Sequence, residues 1–227
     1  MEQQSSPPNL KYLNLVLILL AVCLLALFML RARMETEPDW RIMQLRKDNL
    51  FIQHPVTWLT GNCYAHGRVL DALADAASAL KPQELPVIVF RLSARHADAE
   101  NTGNTADIGF VARTPNGKPS QASPSLLTYG PTIHYDAKGE DNGIVSAVMD
   151  PAATLQVLNA LVNQPMAQVE RILVPPFAIP LLQQASDTLP AAEAARLFAL
   201  MEEDDGRNAS MRFVFRLPAG STGNSVQ

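Results

Sequence analysis

Residues Leu13 to Leu30 form an almost unbroken apolar run, in which Asn14 is the one polar residue. As a helix this run rises about 27 Å, close to the hydrocarbon thickness of a bilayer. A secretory signal peptide is the rival reading, but the apolar core is long and no small-x-small cleavage pattern precedes Arg31 and Arg33. Leu20-Ala21-Val22-Cys23 faintly matches a lipoprotein box, yet Val22 is unfavourable before the Cys and the apolar run continues past it. The expectation is a short polar tail over 1–11 and a single transmembrane helix over 12–31. The leading flank carries Lys11, whereas the trailing flank carries Arg31, Arg33, Arg41, Arg46 and Lys47. Taken alone, the positive-inside tendency places the large domain in the cytoplasm.

The remainder of the 227 residues has room for one globular domain. A net charge of −4 and the lack of a basic block argue against nucleic acid as a partner. Seventeen prolines against eleven glycines point to fixed turns. Cys23 lies within the apolar span and Cys63 outside it, so the two cannot staple the domain. Cys63 reads as a small buried residue, with an intermolecular bridge as the alternative.

Pattern reading divides this remainder. Met34 to Phe51 reads as a juxtamembrane helix or stalk with Asp39 as cap, and 32–57 is set apart from a domain over 58–218 and a flexible tail over 219–227. Val69, Leu70, Leu73, Ala76, Ala77 and Leu80 recur at helical spacing over His66 to Leu80. Val87 to Leu92 is a strand by its β-branched content. Thr114-Pro115-Asn116-Gly117 is a turn within a loop from Arg113 to Gly130, Thr132 to Asp136 a short strand, and Lys138 to Gly143 a polar turn. Asp150-Pro151 is a helix start, with Leu155, Leu158, Leu161 and Val162 on one face. A strand over Arg171 to Val174, helices over Ile179 to Ser186 and Pro190 to Glu203, and a strand over Met211 to Leu217 complete the set. In that last strand Phe213, Phe215 and Leu217 share one face and Arg212, Val214 and Arg216 the other.

The stretch Glu100 to Phe110 is a polar, glycine-containing turn that runs into a short apolar strand, with Asp107 at its mouth. A carboxylate there needs a partner, or it caps the turn through its own backbone. The run resembles the signature of penicillin-insensitive murein endopeptidases, zinc peptidases that cut peptidoglycan cross-links. In that family a His is followed by Gly three residues on and by an Asp in an Ala-Asp-Ile-Gly-Phe run seven residues on. Gly103 and Ala106-Asp107-Ile108-Gly109-Phe110 match, while Glu100 stands at the His. The family's closing strand, His-Phe-His-Val-Arg-Ile, aligns with Arg212 to Leu217, so Arg212 and Val214 replace its two His and Arg216 keeps its Arg.

The resemblance covers roughly His66 to Leu217. It implies an α+β domain with a small mixed or antiparallel sheet and flanking helices, outside the inner membrane, where murein lies. It also implies a degenerate metal site at Glu100, Asp107 and Val214, because valine has no donor atom and zinc needs three protein ligands. Arg212 stays charged at neutral pH and cannot serve as a base. Arg212 and Arg216, paired with Glu100 and Asp107, would replace the metal's charge, and with Gly103 they form a candidate binding groove. No cofactor is expected on this reading, and the partners are peptidoglycan or envelope proteins. Two alternatives stay open: a living metallopeptidase that uses His96, Asp98 and Glu100 with Asp107 to hold zinc, and a purely structural envelope scaffold. His54, His66 and His134 read as ordinary surface or core histidines.

Overall fold

The structure, a computed structural model, describes residues 12, 15–23, 26, 39–43, 46–47, 50–52, 57, 62–93, 102–114, 116–117, 119–120, 135–141, 147–206 and 209–217. Residues 1–36 and 37–227 form two separate units. In the first, Tyr12, residues 15–23 and Ala26 are helical, and Leu15, Ile18 and Leu19 are exposed. No helix among the described residues is long and apolar enough to cross a membrane, and the rest of the apolar run lies outside them.

The second unit is α+β. Its strands are β1 (Trp40–Ile42), β2 (Arg46–Lys47), β3 (Leu50–Ile52), β4 (Tyr64–His66), β5 (Val87–Leu92), β6 (Thr105–Gly109), β7 (Ala112–Arg113), β8 (Pro119–Ser120), β9 (Glu140–Asp141), β10 (Ala147–Met149), β11 (Gln168–Val174), β12 (Met201–Glu203) and β13 (Ser210–Arg216). The main sheet has seven strands in the order β12-β11-β13-β6-β5-β3-β2. It is mixed, because β12 runs parallel to β11 and β3 parallel to β5, while the other pairs are antiparallel. A four-stranded sheet, β8-β7-β10-β9, and the β1-β4 pair flank it in the chain.

The helices are α1 (Gly67–Leu80), α2 (Pro151–Val162), α3 (Ala178–Gln184) and α4 (Ala191–Phe198). The 3.6-residue period turns Val69, Leu73, Ala76, Ala77 and Leu80 of α1 into one buried stripe, which meets α2, β3 and β5. Asp150 caps α2 by accepting a hydrogen bond from the Ala153 N–H at 3.0 Å, and Pro151 follows at the first helical position, where its missing N–H costs nothing. Leu155, Leu158 and Leu161 of α2 are buried with Ile108, Ile172, Phe213 and Phe215 of the sheet. Strand alternation therefore commits one face of β6 and β13 to the core and turns the other, with Asp107, Arg212 and Val214, away from it.

Three segments differ from the pattern reading. Met34 to Phe51 contributes strands β1, β2 and β3 rather than a helix or stalk, so the sheets begin within 32–57. Trp40 explains the start: it is buried and its indole lies over Gly103, a position with φ of +71°. The helix read over Pro190 to Glu203 stops at Phe198, because Met201–Glu203 pairs in parallel with β11 and closes that edge of the sheet. Within the Arg113 to Gly130 loop, the Thr114–Gly117 turn does form, closed by the Gly117 N–H on the Thr114 carbonyl, and β7 and β8 pair around it as a hairpin. These strands are only two or three residues long, too short for alternation to mark them, and pairing with a neighbour holds them. Of the strand read over Thr132 to Asp136, only Tyr135 and Asp136 are described, and neither is in a strand.

Gly109 is required by packing. Phe90 sits at a register shift in β5 and lays its ring over Gly109, so a Cβ there would fall 2.2 Å from the ring edge. Gly109→Ala is expected to destabilise the chain by about 1–3 kcal/mol through overpacking, measurable as a shift of the urea midpoint followed by tryptophan fluorescence.

Candidate functional site

Asp107 is the centre of the open sheet face. It is 7% exposed, and a carboxylate so placed needs full pairing. The register supplies it: Arg212 of β13 stands directly opposite and donates from Nε to Oδ1 at 2.7 Å and from Nη2 to Oδ2 at 3.0 Å. The two parallel bonds form the planar fork that guanidinium makes with carboxylate. Arg212 itself is partly open, with 31% of its side chain exposed. The anticipated Asp107–Arg212 pairing is therefore present.

Arg216 is not part of it. Two rows further along β13, it lies opposite Gln168 and meets Glu170 at 3.8 Å in an exposed pair. At about 3.3 Å per residue, four residues of strand put it some 13 Å from Arg212, too far to share Asp107. Val214 is half-buried between Thr105 on β6 and Arg171 on β11, and presents only methyl groups. Gly103 is buried beneath the Trp40 indole, so it props the β1-β4 pair instead of lining a groove. Glu100, His96 and Asp98 lie outside the described residues, as do His54 and His134. Among the described residues no group of three or more His, Cys, Asp or Glu is placed to hold a metal. A cation on Asp107 would meet the positive charge of Arg212, which already bonds both carboxylate oxygens.

The loop that leads into β6 is held by backbone contacts. Asn104 donates from its side-chain amide to the Phe215 carbonyl at 3.0 Å and accepts from the Phe215 N–H at 2.8 Å. The Gly103 carbonyl accepts from the His66 N–H at 2.9 Å. The Ser93 and Thr105 hydroxyls lie 3.4 Å apart in the row next to Asp107. Pattern reading missed Arg91, which is in register with Asp107 from the β5 side. That placement depends on the shift at Phe90, which leaves no mark in the sequence.

His66 is buried, the core half of the surface-or-core reading. It caps α1, its Nδ1 accepting from the Arg68 N–H at 3.2 Å, while Nε2 is buried with no hydrogen-bond partner among the described residues. Burial chiefly holds its pKa below 6.5; Arg68 and Arg41 push the same way and Asp39 opposes them. Elsewhere a cavity of about 250 Å³ lies beside α1, lined by Met43, Leu50, Leu70 and the Arg41–Asp71 ion pair, and shares no residue with the Asp107 row. Cys63 is fully buried, as its reading as a small interior residue requires.

A scan against protein-family models and a search of curated proteins each found no match for this chain.

Asp107→Ala is expected to cost about 1–3 kcal/mol in urea denaturation, because it strands a half-buried guanidinium. The double change Asp107→Leu with Arg212→Met should cost less than the single one. For His66 the folded pKa is depressed, so the unfolded chain binds the proton more readily. Its contribution to stability is full above pH 6.5 and is lost as the pH falls below that value. His66→Asn, which keeps a capping side chain, should flatten the fall in stability between neutral and mildly acid pH.

Proposed function

We propose that this chain is a single-pass inner-membrane protein whose periplasmic domain is a non-catalytic relative of murein endopeptidases and binds peptidoglycan or envelope partners. The observation that carries the reading is the two-bonded Arg212–Asp107 pair. It occupies the place where the resembling signature has a zinc-ligand carboxylate, and Val214 at the third ligand position offers no donor. The residues present do not fit a catalytic zinc, so no hydrolytic step is derived through one. Arg212 is charged throughout the physiological range and does not replace the family's histidine as a base. Loss of chemistry with retention of the sheet leaves a surface for binding. The anchor reading draws on the apolar run and on the exposed Leu15, Val16, Leu17, Ile18 and Leu19 of the described helix, side chains suited to lipid.

The test is sedimentation of the full-length chain, in detergent, with purified murein sacculi, alongside metal analysis of the same preparation made without chelator or histidine tag. Co-sedimentation without zinc and without digestion of the sacculi is expected. Stoichiometric zinc that disappears in Asp107→Ala, together with released muropeptides, would replace this reading with an active metallopeptidase. A reporter fused after Gln227 should be active only in the periplasm.

A further inference from the structure

The open face of the main sheet carries a row that crosses four adjacent strands. Leu173 on β11 stands opposite Arg212 on β13, Arg212 opposite Asp107 on β6, and Asp107 opposite Arg91 on β5. One aspartate thus stands in register between two arginine positions, and Arg212 bonds both of its oxygens. Arg91 is exposed and makes no ion pair or side-chain hydrogen bond among the described residues. Its isolation is unlike the setting of Arg41, Arg113, Arg171 and Arg216, which meet Asp71, Asp150, Glu202 and Glu170 respectively.

We infer that Arg91 receives the terminal carboxylate of a peptide laid on this face. Charge sets the occupant: the row carries one surplus positive charge, which suits a single carboxylate. A polyanion would meet Asp107, Glu170 and Glu202 nearby, on a chain whose net charge is −4. The surroundings suit a short peptide. Phe90, half-buried over Gly109, walls one side; Leu173 and Val214 supply half-buried apolar floor; half-buried Thr105, backed by the buried Ser93 hydroxyl, supplies a hydroxyl in the adjoining row. The strand fixes where the Arg91 side chain leaves the sheet, and a guanidinium can meet a carboxylate with two parallel bonds. Arg212 is a positioning residue here, because it neutralises Asp107 and so leaves Arg91 free to bind an outside anion. The inference rests on the peptidoglycan-binding reading above and gives that surface its ligand chemistry.

The probe is a synthetic stem-like tripeptide, prepared as the free acid and as the carboxyl-terminal amide, titrated calorimetrically into the full-length chain in detergent. The acid should bind and the amide should bind at least about tenfold more weakly, the loss of one charge-assisted contact. Arg91→Gln should weaken the acid by about the same factor and leave the amide unchanged, and Arg91→Lys should recover part of the loss. Equal binding of acid and amide, wild-type affinity in Arg91→Gln, or no binding of the acid would each overturn the inference. Should sacculi still sediment the wild-type chain in any of those cases, the peptidoglycan reading stands and only the role of Arg91 falls. If sedimentation fails while the acid still binds through Arg91, the carboxylate site stands and the murein reading falls.

Discussion

The open face depends on how a carboxylate is kept inside a sheet. Asp107 lies on a central strand with its side chain nearly closed off from water, and an unpaired charge there would cost several kcal/mol. Arg212 answers it from the next strand with two bonds in one plane. The pair also holds register, since a slip of one residue would bring Asp107 against Met211 or Phe213 and turn β13's core residues outward. Pairing, register and core burial are one constraint on β6 and β13.

The rest of the domain is arranged around those two strands. On the core side, the buried aliphatic stripes of α1 and α2 share one hydrophobic core with Ile108, Phe213 and Phe215. On the loop side, Asn104 ties the entry of β6 to the end of β13, and Trp40 packs over Gly103. An entry loop fastened at both ends fixes where β6 begins, and so fixes which residue faces Arg212. Phe90 does the corresponding work on β5: its register shift brings Arg91 into line with Asp107 and demands glycine at position 109.

This arrangement bears on function through charge. A zinc site and an arginine–carboxylate pair both neutralise Asp107, but only the metal leaves an open coordination position for water. A guanidinium on Asp107 gives the face charge without such a position, which is why the proposed reading is one of binding. The peptide carboxylate inferred at Arg91 is an occupant that such a face suits.

Much of the fold was legible in the residues. The stripe of α1, the Asp150-Pro151 start of α2, the β-branched run of β5 and the alternation of β13 are local patterns, and each appears as read. The expected meeting of Arg212 with Asp107 came from the murein endopeptidase resemblance, because alternation sorts the residues of one strand and does not say which strands are neighbours. What only the tertiary structure decided is what depends on non-local pairing. The strands β1 to β3 and β12 are two or three residues long, too short for a period-2 pattern to show, and a neighbouring strand receives each of them. Arg216 could not be separated from Arg212 without the register that sends it to Glu170. Arg91 could not be placed beside Asp107 without the shift at Phe90. Periodicity is written in the order of side chains, whereas register follows from which strands meet and where a bulge interrupts them.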